Sequence, residues 1–137
     1  MKRTVAAPEF AHYSREWHLS PALDTGDFIF FSGETGCRQD YTVSPDPEQQ
    51  FRDAFTFLRA NLAAAGLKFE NVVEMTTYHV DLRKHLPTFI KVKDEYVSAP
   101  YPAWTAIGVT ELITEGTLLE IRIIARRLEN AGFHPQD

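Results

Sequence analysis

A single cysteine, Cys37, is all the thiol that this chain of 137 residues carries. No internal disulfide can brace the fold, and no Cys/His spacing resembles a zinc site. Long apolar runs are missing too. None reaches the length of a membrane span, and the basic start Met1-Lys2-Arg3 is not followed by the apolar stretch of a secretion signal. A cytoplasmic protein with no membrane partner is expected. Positive charge is in deficit, with 14 Lys and Arg against 19 Asp and Glu and a formal net charge of -5. That balance disfavours a nucleic-acid partner, and the pairs Arg83-Lys84 and Arg126-Arg127 read as solvated ends of elements. The stretch Ser32-Gly33-Glu34-Thr35-Gly36 lacks the Lys and the following helix of a phosphate-cradling loop, which argues against a nucleotide-dependent enzyme. Low-complexity segments and internal repeats are absent. What remains is 44% hydrophobic, enough for one domain over 1-137 with a sizeable core.

Periodicity divides the chain. Tyr13 to Leu19 and Phe28 to Ser32 read as strands around the turn Asp24-Thr25-Gly26-Asp27. A helix follows, with Asp46 as N-cap, Pro47 in its first turn, and Phe51, Ala54, Phe55, Leu58, Leu62 and Ala65 on one face before Gly66. Asn71 to Leu82 is a third strand. Leu86 to Val97 reads as a second helix, with Leu86, Phe89, Ile90 and Val97 inward and Lys91, Lys93, Asp94 and Glu95 outward. Pro100 and Pro102 then force extended backbone, and two strands around Thr114-Glu115-Gly116-Thr117 close the chain. The order β-β-α-β-α-β-β predicts an α+β fold, a mixed sheet with two helices packed on one face.

Chemistry concentrates in the last strand. From Leu118 to Arg126, the residues Leu119, Ile121, Ile123 and Ala125 alternate with Glu120, Arg122 and Ile124, so Glu120 and Arg122 share a face. A carboxylate on so apolar a strand must be solvated, paired or used. An ion pair with Arg122 is the plainest fate. Histidine offers less. His79 reads as a hydrogen-bonded structural residue on a strand, while His12, His18, His85 and His134 fall in loops or near ends, with no nucleophile at a useful spacing.

Pro102-Ala103-Trp104-Thr105, then Ile107, Leu112 and Leu119-Glu120-Ile121, resembles the C-terminal signature of the YjgF/RidA (reactive intermediate deaminase) family, Pro-Ala-Arg-Ser followed by apolar-Glu-Ile. Phe30-Phe31-Ser32-Gly33, Ala64-Ala65-Gly66-Leu67 and Thr76 to Leu82 extend the likeness over roughly residues 19 to 127. Trp104 stands where the family has Arg, and Pro21-Ala22 where many members have Pro-Tyr.

The resemblance implies a chorismate-mutase-like fold and a homotrimer with small-molecule ligands in the clefts between subunits. It also implies cofactor-free hydrolysis of imino or enamino acids. Carried over residue by residue, Glu120 becomes the water-positioning base, Ala106 a main-chain contact, and Ser32 with Gly33 the border of the cleft. Trp104 and Thr105 would face the ligand. With the Arg gone, the expectations are a larger, less anionic substrate stacked on Trp104, a substitute cation such as Arg122 or Arg38, or a non-catalytic binding or chaperone-like trimer. Turnover of 2-iminopropanoate should be poor. Some relatives are described as endoribonucleases, but the acidic balance and the lack of a His pair argue against RNA cleavage here.

Overall fold

The alternation from Leu119 onward becomes a strand near the middle of a six-stranded sheet. The computed structural model describes residues 1–127, as β1 (Arg3–Val5), α1 (His12–Trp17), β2 (Ala22–Asp24), β3 (Phe28–Phe31), α2 (Pro47–Ala64), β4 (Val72–Val80), α3 (Leu82–Lys93), β5 (Ala103–Val109) and β6 (Leu119–Arg126). His134 lies outside the described residues. The sheet order is β1-β2-β3-β6-β4-β5, with β4 and β5 parallel and the other neighbours antiparallel. This mixed sheet carries three α-helices rather than two. No helix among the described residues is long and apolar enough to cross a membrane.

Leu119, Ile121, Ile123 and Ala125 are all buried, packed under Phe51, Phe55, Leu58 and Leu62 of α2 and Phe89 and Val92 of α3. Helix α2 starts where its cap requires, with the Asp46 carboxylate accepting from the Gln49 main-chain N–H at 3.2 Å. It stops at Ala64, and Gly66, at φ +76, turns the chain so that the Leu67 N–H reaches Leu62 O at 2.9 Å. Across the sheet the register puts Glu120 beside Tyr78, Arg122 beside Thr76, and Thr105 and Ile107 next in line on β5. Phe28 and Phe30 share this second face and remain exposed at 41% and 38%. Helices α2 and α3 pack on the other face, and α1 reaches this one only at its Glu120 end.

Two expectations need correction. Tyr13 to Leu19 is not a strand: His12–Trp17 is helical, preceded by a 3-10 turn at Pro8–Phe10, and the strand that pairs with β3 is Ala22–Asp24. Aromatic content favoured a strand there. The rings of Phe10, Tyr13 and Trp17 are instead spaced three and four residues apart and meet at centroid distances of 6.2 and 6.5 Å. Helix α3 begins at Leu82, four residues earlier than expected, and its inward set is Phe89, Val92 and Lys93. Ile90 is consequently exposed at 38%, whereas Lys93 is buried at 8%.

Candidate functional site

Glu120 owes its position to a strand that rejoins the sheet one residue at a time. After β3 ends at Phe31, the chain bulges through Ser32 and Gly33 and pairs again at Glu34, which exchanges two 2.8 Å main-chain bonds with Ile121. Ser32 fixes the bulge by donating its hydroxyl to Ser20 O at 2.7 Å and its N–H to Pro21 O at 3.1 Å. Gly33 leaves bare backbone under the Glu120 side chain. A Cβ there would stand 2.5 Å from Glu120 Cδ and 2.6 Å from Oε2, so the carboxylate lies down on the space a side chain would fill.

Above this floor is a cavity of about 100 Å³. Ser32, Gly33, Glu34 and Glu120 line it below, while Tyr13 and Trp17 of α1 and Tyr41 form an aromatic wall. Tyr13 and Tyr41 meet edge to face at 6.4 Å, and the Tyr41 hydroxyl donates to Glu16 at 2.7 Å, which fixes the ring. None of the lining residues is Lys, Arg or His. A wider hollow of about 510 Å³ beside Arg59, Phe69 and Tyr96 contains no comparable pair of acids.

Burial raises the Glu120 carboxyl above the ordinary carboxylate range. Glu34 moves further. Loss of water pushes it up to about 8, with the nearby Glu120 charge adding to the rise, against the opposing pull of the Asn61 amide that donates to Glu34 Oε2 at 3.0 Å. Asn61 is itself anchored, accepting from the Ala7 N–H at 3.1 Å while 2% exposed. Cys37 is buried at the cavity edge, where desolvation raises its thiol and suppresses the reactive thiolate.

The other expected site residues lie elsewhere in the chain. Trp104 is in register with Met75, so its ring turns to the helix side, where Nε1–H donates to Thr77 Oγ1 at 2.9 Å. Thr77 in turn sits 2.7 Å from His79 Nε2, and the Lys93 ammonium lies 4.7 Å from the centre of the Trp104 ring. Trp104 and Glu120 are thus on opposite faces, two strands and three residues apart, about 14 Å on strand geometry. Thr105 is on Glu120's face but on the edge strand, and Ala106 is beside Thr77. Arg122 is exposed and forms no ion pair with Glu120; among the described residues neither has a salt-bridge partner. Arg38 is held by Asp53 at 3.1 Å. The chain therefore assembles Glu120, Ser32 and Gly33, and leaves Trp104, Thr105, Ala106 and Arg122 apart.

Glu34, Tyr13, Trp17, Tyr41 and Lys93 were not anticipated at these places. An acid directly after Ser-Gly and an aromatic pair spaced by four were the available signals.

Residues 10–127 match the family model described as Endoribonuclease L-PSP. The chain belongs to the YjgF/RidA family. Within that family it is 43% identical over 128 residues to the RutC family protein YjgH of Escherichia coli K12, covering 92% of this chain and 96% of that one. A solved structure of YJGH superposes with a TM-score of 0.85 at 39% identity, over 94% and 98% of the two chains. The E. coli TdcF structure with bound serine superposes at 0.73, 28% identical over 80% and 88%. A 2-iminobutanoate/2-iminopropanoate deaminase of Dermatophagoides farinae is 28% identical over 95 residues, covering 68% of this chain and 73% of that protein.

Proposed function

We propose that this YjgF/RidA protein hydrolyses the C–N bond of a small imine or enamine, with Glu120 orienting and deprotonating the attacking water. The observation that carries this reading is the Glu120 carboxylate held on bare Gly33 backbone inside a small aromatic-walled cavity, with its proton affinity raised by burial. A base in the cavity needs no cofactor to act. TdcF, with serine bound in its structure, and the mite deaminase are the relatives whose descriptions favour a small nitrogen-containing ligand.

The substrate is not a standard 2-imino acid. A cavity with two carboxyl groups and no lining cation repels a substrate carboxylate, and Trp104 offers no charge in place of the family's Arg. Neutral imines on an apolar or aromatic body suit the Tyr13, Trp17 and Tyr41 wall. A homotrimer completes the site in this reading. Among the described residues, the sheet face beyond α1 and the edge strand β5 are the surfaces that neighbouring protomers would cover, bringing Thr105, Ala106 and Arg122 of one chain toward Glu120 of another.

One observation favours a second reading, a binding trimer without catalysis: Trp104 is committed to Thr77 and Lys93 within its own protomer. Ammonia release separates the two. The assay compares 2-iminopropanoate with a neutral imine formed in situ by an amine oxidase, in wild type and Glu120→Gln. Hydrolysis of the neutral imine that Glu120→Gln abolishes is expected; equal rates in the two proteins remove the catalytic role, and saturable binding that survives the substitution then identifies the binding trimer.

A further inference from the structure

Two carboxyl groups line this cavity, and water deprotonation occupies only one of them. Glu34 pairs through its main chain with Ile121, so its side chain leaves the strand on the helix side toward Asn61, while that of Glu120 leaves on the other; the cavity borders both residues across the bare backbone of Gly33. Its Oε2 accepts from the buried Asn61 amide and the Thr35 main-chain N–H also reaches the carboxyl; a proton on Oε1 leaves both of those bonds in place. We infer that Glu34 is the proton donor of the site, protonating the substrate nitrogen while Glu120 takes the proton of water. This assignment rests on the hydrolysis proposed above.

The cycle closes without a further reactant. Water adds to the imine carbon, Glu120 accepts the water proton, and the C=N π electrons move to nitrogen, which takes the Glu34 proton; the product is a neutral carbinolamine. In the second half the carbinolamine hydroxyl returns a proton to Glu34 and the C=O bond forms. The C–N bond breaks as nitrogen takes the proton held by Glu120, and the amine departs. Both carboxyls are back where they began. The two groups suit these opposite tasks because their environments differ. Glu34 keeps its proton to about pH 8, beside a Glu120 that loses its own more readily. The titratable groups around Glu34 are Tyr13 from α1, Cys37 and Tyr41 from the segment after β3, and Glu120 from β6; α2 presents the neutral Asn61. Tyr13 and Cys37 both have their proton affinity raised by burial, so neither competes as the acid lost near pH 8.

The test uses the full chain and two probes, a neutral N-alkyl imine and an N,N-dialkyl iminium whose nitrogen cannot accept a proton during addition. Wild type should lose kcat on the neutral imine as pH rises through about 8. Glu34→Gln keeps the acceptor for Asn61; it should lower kcat on the neutral imine by about 10²-fold with KM little changed, abolish that alkaline fall, and leave the iminium rate within about threefold. Chemical rescue by added formic acid is expected at low pH. A Glu34→Gln protein with wild-type kcat and the same alkaline fall overturns the assignment, and if Glu120→Gln is still inactive the hydrolysis itself stands. If both variants match wild type, hydrolysis at this site falls as well. Should Glu34→Gln not fold, the wild-type profile decides: a neutral-imine rate that is flat from pH 7 to 9 overturns the inference.

Discussion

Replacing Gly33 with Ala tests the geometry of the site with one methyl group. The added Cβ would meet Glu120 Cδ at 2.5 Å and Cγ at 2.7 Å, distances that real contacts do not tolerate. Relief requires the carboxylate to retreat by about 1 Å, and a misplacement of that size costs on the order of 10²-fold in rate, or about 2.7 kcal/mol of transition-state stabilisation. Stability should barely change. Gly33 does not have positive φ, so Ala fits its backbone and restricts the unfolded chain, a gain of about 0.4–1 kcal/mol that roughly cancels the cost of an off-rotamer Glu120. The expected result is an imine-hydrolysis rate down about 100-fold with Tm moved by only a few degrees. Gly36→Ala is the contrast, because its Cβ would strike Gln50 main-chain O at 2.5 Å and Cγ at 2.9 Å. That clash involves helix backbone and should cost about 1–3 kcal/mol of stability. Wild-type kcat in a folded Gly33→Ala protein would refute the claim that the Glu120 carboxylate works from where it lies.

Gln50 is 1% exposed and serves three main-chain groups, donating to Ser44 O at 3.1 Å and Gly116 O at 3.0 Å and accepting from the Leu118 N–H at 2.6 Å. Gln50→Ala should cost about 3–4 kcal/mol in urea unfolding; a loss below about 1 kcal/mol would show that water replaces the amide. His79 is fully buried, and desolvation holds its imidazole at about 4 against an ordinary 6.5. The folded state therefore keeps it neutral, and its share of stability is present above pH 6.5 and lost as pH falls toward 4, a total of about 3 kcal/mol. His79→Leu should remove that acid-side slope from the stability curve, and an unchanged slope would refute it.

Strands β3 to β6 and α2 were legible because each carries its own signal, whereas the three-residue strands β1 and β2 were not read. Period-two alternation marks β6, and Asp46, Pro47 and Gly66 punctuate α2 without reference to distant residues. Glu120 could be singled out for the same reason, as a charge on an apolar strand. What was illegible depends on partners far along the chain. Glu34 looks like a loop acid until Asn61, 27 residues later, reaches its oxygen. Lys93 looks like a solvated end until Trp104 and Tyr101 lie across its ammonium at 4.7 and 5.8 Å. Helix α1 is six residues long, too short for periodicity to outweigh its aromatic strand formers.

In the proposed site, the acids and the aromatic wall come from separate parts of the molecule. Glu120 stands on β6 and Glu34 on the segment after β3 that pairs with it, while the rings of Tyr13, Trp17 and Tyr41 come from a short helix and a loop laid against the sheet. A designer could therefore randomise those three aromatic positions as one cassette, recruiting new guests without retuning the machinery beneath them.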